Sequence, residues 1–384
     1  MAAPVFIGSA FVAQYPTGGG NFWVPLQYLL GLRDLGVDAW WLEVLFTRGD
    51  ATRDRACLDA FLGHASALGV RDRVVVLYFP AGSRNEPTGP VETIGMAAAE
   101  LAARARDALL LNMADSIRPP QRAGFARAVL FDLDPGPYQL WAREWGMGVG
   151  DHDAHLTIGQ HLGASDSPVP LGGVRWERCW PALYLPAWPL VPPARAARYT
   201  TVTQWWNDQY AFLDGECFDC NKRSGFLEVV ELPRRTGLTL ELAANLHADE
   251  TADRTLLADN GWRLVDPEAV ASTPQAFRAY VQASRGEFSC AKPAYVKARA
   301  GWVSDRTICY LASGRPCVVQ ATGAEHHLPP SAGLRFFGTI DEAATALAAV
   351  EADYAAAARA ARALAEEVFA TRVVLPALLA AVGA

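Results

Sequence analysis

Short apolar runs alternate with longer amphipathic stretches along the whole chain, and this alternation narrows the possible folds more than any other feature. The first runs of strand length are PVFIGSAFV (4–12), VDAWWLE (37–43), RVVVLYF (73–79), ALLLNM (108–113), RAVLFDLD (127–134) and AHLTIG (154–159). Between the first two, residues 22–36 place Leu26, Leu29 and Leu30 at helical spacing, with Arg33 and Asp34 on the other face and Gly36 as a stop. Strands separated by helices imply βαβ units and a parallel sheet. The alternation breaks once, where Pro181, Pro186, Pro189, Pro192 and Pro193 cluster; proline removes a donor and disfavours helix before it. It then resumes with strand candidates at 198–205, 226–232, 240–246, 261–266 and 285–291, and closes on an alanine-rich helical region from Asp341. This pattern predicts an α/β chain of two Rossmann-like halves: a first domain at 1–190, a second domain at 195–365, and a C-terminal helix at 366–384 crossing back to the first. Ligands in such folds bind at strand carboxyl ends and domain clefts.

Composition agrees. A chain of 384 residues suits two domains. With 51% hydrophobic and 20% charged residues a sizeable core is available and the composition argues against disorder. A formal net charge of −7 with no basic run argues against nucleic acid as a partner. Seven scattered cysteines do not make a disulfide framework. The apolar start lacks a positively charged region and reads as a buried strand rather than a signal peptide. No apolar run is long enough to span a bilayer, so the expectation is a soluble, cytoplasmic protein with no transmembrane segment.

The densest signal is GWVSDRTICYLASGRPCVVQATG, 301–323. Ser304 is a helix cap, with Asp305 and Arg306 in the first turn. Ile308, Leu311 and Ala312 form the buried stripe, and Gly314 and Pro316 end the helix. CVVQ is then an inner strand, with Thr322 and Gly323 in the loop at its carboxyl end. A helix N-terminus suits phosphate or ribose oxygens, an Asp there can accept from ribose hydroxyls, and an Arg adds bidentate phosphate contact. The plainer reading is a capped helix with a solvated ion pair. Just upstream, SRGEFSCAKPAYV carries Arg285, Glu287 and Lys292 around a short strand. Two cations beside one cleft would offset the charge of a leaving diphosphate; the alternative is surface residues flanking a strand.

Together these segments, with the later LPP and GL, resemble the donor-domain signature of bacterial glycosyltransferases of the GT-B type, the spore-coat-type and family-1-like group. The resemblance covers most of the chain. QYPTGGGNF, 14–22, is similar to the first strand–loop–helix of the acceptor domain, with Gly18, Gly19, Gly20 and Asn21 in a loop facing the cleft. That loop matches neither the dinucleotide nor the ATP pattern. Residues 200–228 resemble the first strand and loop of the donor domain, with Lys222 ahead of a strand and within reach of the diphosphate. The resemblance implies transfer of a sugar from a nucleotide-diphospho-sugar to a small-molecule or carbohydrate hydroxyl. Arg285, Lys292, Arg306 and Lys222 would stabilise the diphosphate without a metal or other cofactor, and Ser304, Thr322 and Gly323 would complete the donor site. Cys309 stands where many members carry a ribose-binding glutamate, so that role passes to Asp305, with Glu287 also reading hydroxyls. Arg306→Ala is expected to abolish transfer with the fold intact.

An acceptor hydroxyl needs a base when transfer inverts. Asp134, His152 and Asp153 qualify by type, although Asp before Pro-Gly is also an ordinary turn residue. Cys217 and Cys220 lack the further ligands a zinc site needs, and His326 and His327 read as loop. Two other classes stay open: a nucleotide-sugar epimerase of the same fold, and a catalytically silent binding or scaffold protein.

Overall fold

The computed structural model describes residues 3–82, 87–88, 91–192, 198–207 and 209–383. Pro193 and the domain start expected at 195 lie outside them. The first half builds a sheet from β1 (Val5–Ser9), β2 (Ala39–Phe46), β3 (Val74–Phe79), β4 (Glu92–Ile94), β5 (Leu109–Met113), β6 (Arg127–Asp132), β7 (Ala154–Thr157) and β8 (Trp176–Arg178). Their order is β8-β7-β6-β5-β1-β2-β3-β4. All neighbours run parallel except β3 and β4. Val5 through Ser9, Ala39 through Phe46 and Leu109 through Met113 are buried throughout, as strands covered by helices on both faces must be.

The second half repeats the plan with β9 (Tyr199–Thr203), then a separate antiparallel hairpin of β10 (Tyr210–Leu213) and β11 (Glu216–Asp219). Next come β12 (Leu240–Ala244), β13 (Arg263–Val265), β14 (Gly286–Ser289), β15 (Cys317–Gln320) and β16 (Leu334–Phe337). This sheet is ordered β13-β12-β9-β14-β15-β16 and is parallel throughout. In each sheet the chain leaves the first strand in one direction and later returns to its other side. The reversal falls between β1 and β5 in the first sheet and between β9 and β14 in the second, and carboxyl ends at such points open a crevice.

One expected strand is helix instead. Residues 226–232 fall at the end of a helix, Lys222–Glu228, and the start of another, Leu232–Thr236. Phe226, Val229 and Leu232 are the buried members of the run. Their spacing of three is helical, and the apolar content had hidden it.

The halves are joined over a wide front. Trp23 Nε1 donates to the Pro274 carbonyl at 2.9 Å. The closing helix, Thr371–Ala381, packs Thr371 and Leu375 against Gly31 of the first helix, Gly19–Asp34. One continuous apolar core contains Trp23, Leu26 and Phe131 of the first half with Val281, Ile308 and Leu375 of the second. No helix among the described residues is long and apolar enough to cross a membrane.

The glycine run has a packing role. A Cβ on Gly19 would stand 2.2 Å from the Thr273 carbonyl oxygen, and one on Gly20 3.1 Å from the Phe277 ring. Gly19 and Gly20 let the first helix start against the helix Pro274–Ala283 of the other half, while a Cβ on Gly18 would first meet Tyr15 and Asn21; Asn21 is exposed. Gly19→Ala is expected to cost about 1–3 kcal/mol, read as a lower urea midpoint at unchanged slope.

Candidate functional site

The carboxyl edges of the two sheets face each other. Gln160 N, just past β7, donates to the Gly301 carbonyl at 3.1 Å, and Lys292 Nζ, just past β14, reaches Asp134 Oδ1, just past β6, at 2.6 Å. Gly301 allows this approach: its φ is +72°, and a Cβ there would lie 2.3 Å from His161 N.

On the second-half wall, a small pocket is lined by Ser289, Ala291, Trp302, Ser304, Arg306 and Gln320, among others. It lies where β14 and β15 end and the helix Asp305–Ala312 begins. Ser304 caps that helix, its Oγ accepting from Arg306 N at 3.2 Å. Arg306 then turns back into the sheet. Its Nε donates to Glu287 Oε1 at 2.6 Å, one terminal nitrogen to the Val202 carbonyl at 2.8 Å, and the other to Ser289 Oγ at 2.6 Å. Arg306 thus bridges β9 and β14 at the reversal point. Three of its five N–H groups are spent there, so its first duty is structural.

Glu287 is fully buried, and its Oε2 has no hydrogen-bond partner among the described residues. It is the internal counter-ion of Arg306, which corrects the expectation that it reads hydroxyls of a ligand. The expectation of an intact fold in Arg306→Ala falls with it.

Lys222 opens its helix with the ammonium 5.5 Å from the centre of the Trp302 ring. It makes no ion pair among the described residues. Burial, then the charges of Arg306 and Lys292, push its pKa well below the ordinary lysine range, against the smaller pull of Glu287. Three cations therefore converge on one wall, and one of them lacks a counter-ion among the described residues.

Asp134 faces them from the first half. Asp132 Oδ1 accepts from its backbone N–H at 2.9 Å, and Gly136, at φ +94°, turns the chain away behind it. Asp132 is itself buried and accepts from Gln139 and Thr157; burial raises its pKa to about 7. Asp134 Oδ1 accepts from Lys292 and from the Tyr295 hydroxyl. Burial raises the Asp134 pKa, but the charge and hydrogen bond of Lys292, the Tyr295 hydrogen bond and the Lys222 charge outweigh it and hold the carboxyl below its ordinary value. Asp305, in the first turn of its helix, carries a charge that adds to burial in raising the pKa values of Tyr28 and Cys179 of the first half. Burial, helped by the Asp134 charge, lifts its pKa to about 6 against its own backbone N–H and Arg306, and its Oδ1 is buried without a hydrogen bond.

Other expected members lie elsewhere or serve the scaffold. Arg285 precedes β14, so it stands at the amino edge, opposite the cleft. Its Nε and terminal nitrogen each reach Glu351 at 2.6 Å, and it covers the Tyr354 ring at 3.9 Å. It is not part of the cation cluster. His152 and Asp153 precede β7 and so stand at the end of that strand away from Asp134. The His152 side chain is sealed against Asn112, Asp115 and Arg122, and burial with the Arg122 charge lowers its pKa to about 4. Asp153 Oδ2 accepts from Ala128 N at 2.8 Å. Neither stands with Asp134 as a base candidate. Thr322 Oγ1 donates to the Trp302 carbonyl at 2.7 Å, and Gly323, at φ +97°, lets the loop pass His161.

His161 itself went unread in the sequence. It follows β7 at the cleft edge; its Nδ1 meets His327 Nε2 at 2.8 Å and its Nε2 meets Asp166 Oδ1 at 2.7 Å, joining the halves. Its place after a strand, where His152 stands before one, was the available signal. Among the described residues no cluster of His, Cys, Asp or Glu could hold a metal ion.

No protein-family profile matches the chain, and no curated protein matches its sequence. Solved structures do match in shape. The chain is similar to Anabaena HepE in complex with UDP-glucose at 12% identity and a TM-score of 0.59, covering 99% of each chain. It is similar to the sucrose-phosphate synthase of Thermosynechococcus elongatus at 14% identity and a TM-score of 0.55, covering 98% of this chain and 97% of that one. An alpha-glucosyltransferase in complex with UDP and DNA aligns over all of both chains at 8% identity and a TM-score of 0.59. The chain has the two-domain Rossmann-like GT-B fold.

Proposed function

We propose that this chain is a glycosyltransferase that moves a hexosyl group from a nucleoside-diphospho-sugar to the hydroxyl of a small-molecule or carbohydrate acceptor. The observation that carries the reading is Lys222, a partly buried ammonium without a counter-ion among the described residues, set beside Lys292 and Arg306 at the strand-reversal point. A fold keeps such a charge at a cost unless a ligand supplies the anion. A diphosphate meets that need, and positive charge fixed in advance stabilises it as it leaves. In this reading Lys222 and Lys292 provide the charge a divalent ion would otherwise bring, so transfer is metal-independent. Ser304 and the free N–H groups of its helix add donors on the same wall, and Asp134 is the base candidate on the acceptor side. The fold shared with proteins solved with UDP and UDP-glucose supports the reading.

The test is a thermal-shift panel of UDP, dTDP, GDP, ADP and CMP, with and without magnesium. One nucleoside diphosphate is expected to raise the melting temperature equally with and without the metal. At 100-fold excess over its dissociation constant it adds about 2.7 kcal/mol of stability. A flat panel would overturn the donor site.

A further inference from the structure

The cleft holds two anion–cation pairs of different kinds. Glu287 is fully buried within the sheet and cannot leave Arg306 without unfolding its surroundings. Asp134 is different: its side chain is 36% exposed, it belongs to the opposite half, and it touches Lys292 through a single oxygen. Lys292 is 16% exposed and has no other ion-pair partner among the described residues. A diphosphate drawn to Lys222 arrives where Lys292 also acts, since the Lys292 charge bears on the Lys222 ammonium. It then meets a carboxylate already seated on one of its two lysines.

We propose that Asp134 is a resident counter-ion of the donor site, displaced from Lys292 when a diphosphate binds, so that donor binding uncovers a carboxylate presented from the acceptor side. This rests on the donor-site reading above and adds to it a competition inside the site. Before the donor arrives, Lys292 and the Tyr295 hydroxyl occupy Asp134 and hold it as a poor proton acceptor. Once the phosphates take Lys292, the carboxylate loses its strongest partner and becomes a better one. Asp132 keeps its backbone in place throughout, through the bond to Asp134 N.

The measurement is calorimetric titration with UDP, and with inorganic pyrophosphate in parallel, of the full chain and of Asp134→Asn, Lys292→Met, Tyr295→Phe and the Asp134→Asn/Lys292→Met pair. Asp134→Asn is expected to bind both probes about 10-fold more tightly, since a competing charge at contact distance is gone. In the Lys292→Met background the same change is expected to give no gain. Tyr295→Phe, which removes one of the two groups holding Asp134, is expected to give a smaller gain and keeps the test open if Lys292→Met does not fold. Unchanged or weaker binding in Asp134→Asn overturns the proposal. So does an equal gain in both backgrounds, because the carboxylate would then act only as a distant charge. If neither probe binds the unaltered chain or any variant, the donor-site reading falls and takes the proposal with it. If UDP binds and the cycle shows no coupling, only the proposal falls.

Discussion

Lys222→Met is expected to weaken binding of the nucleoside diphosphate by about 100-fold, the loss of charge-assisted hydrogen bonds to an anion, while the unliganded protein becomes no less stable. The two halves of this result come from one fact. The ammonium sits partly buried beside two other cations and has no counter-ion among the described residues. Methionine keeps the stem against Trp302 and removes the unpaired charge. The pH dependence has a definite sign. Lys222 has a folded-state pKa below its value of about 10.4 in the unfolded chain. Below the folded value both states carry the proton and the cost of the buried charge is complete. As pH rises through the folded value, the native protein releases its proton while the unfolded chain keeps it, so stability rises with pH. The methionine variant lacks this gain, so its stability advantage narrows toward alkaline pH. Urea unfolding at neutral and alkaline pH reads the trend, and calorimetry with the nucleotide reads the binding. A variant that binds as well as the unaltered chain would remove the main support for the proposed function.

The parallel sheets were legible in the sequence because alternation is local: each apolar run marks its own strand. The run at 226–232 was misread because its apolar residues fit either period, and only the buried positions, Phe226, Val229 and Leu232, settle it as helix. The hairpin of β10 and β11 escaped because its outward face carries Tyr210 and Phe212, both exposed, so no inside–outside pattern separates it from its surroundings. At the site, strand polarity was the underused signal. In a parallel sheet, residues before a strand and after it lie at opposite edges. Arg285 and Lys292 bracket β14 and therefore cannot share a cleft, and the same holds for His152 and His161 around β7. What the sequence does not carry is partnership at long range. Glu287 and Ser289 alternate with Phe288 on one face of β14, which local pattern shows, but that Arg306 closes both of them depends on the helix Asp305–Ala312 docking there. Lys222 and Lys292 had the same formal standing in the sequence, and only the folded chain shows that one is paired and the other is not.

Arg306→Ala is expected to destabilise the protein by about 3–5 kcal/mol, the usual cost of stripping one partner from a buried ion pair. Glu287 is wholly enclosed, and in the variant its carboxylate would lose the guanidinium it contacts and keep only the weaker pull of Lys222, while the Val202 carbonyl and Ser289 hydroxyl also lose their donor. Against a total stability of about 5–15 kcal/mol, a loss of that size leaves a protein that unfolds on mild heating. Lost transfer in this variant would therefore say nothing about phosphate contact, since collapse of the scaffold explains it equally well. Removing both charges separates the two roles. Arg306→Met with Glu287→Leu replaces the pair with apolar side chains and leaves no orphan charge, so stability is expected to return to within about 1 kcal/mol of the unaltered chain. Nucleotide binding is not expected to return with it, because the cleft has lost one of its three positive centres while Lys222 and Lys292 remain. Urea midpoints for the single and double variants, followed by nucleotide titration of the double, decide the matter. A single variant as stable as the unaltered chain would show that Glu287 is not held by Arg306. A double variant that folds and binds at full strength would show that Arg306 serves the sheet alone and leave the donor site to the two lysines.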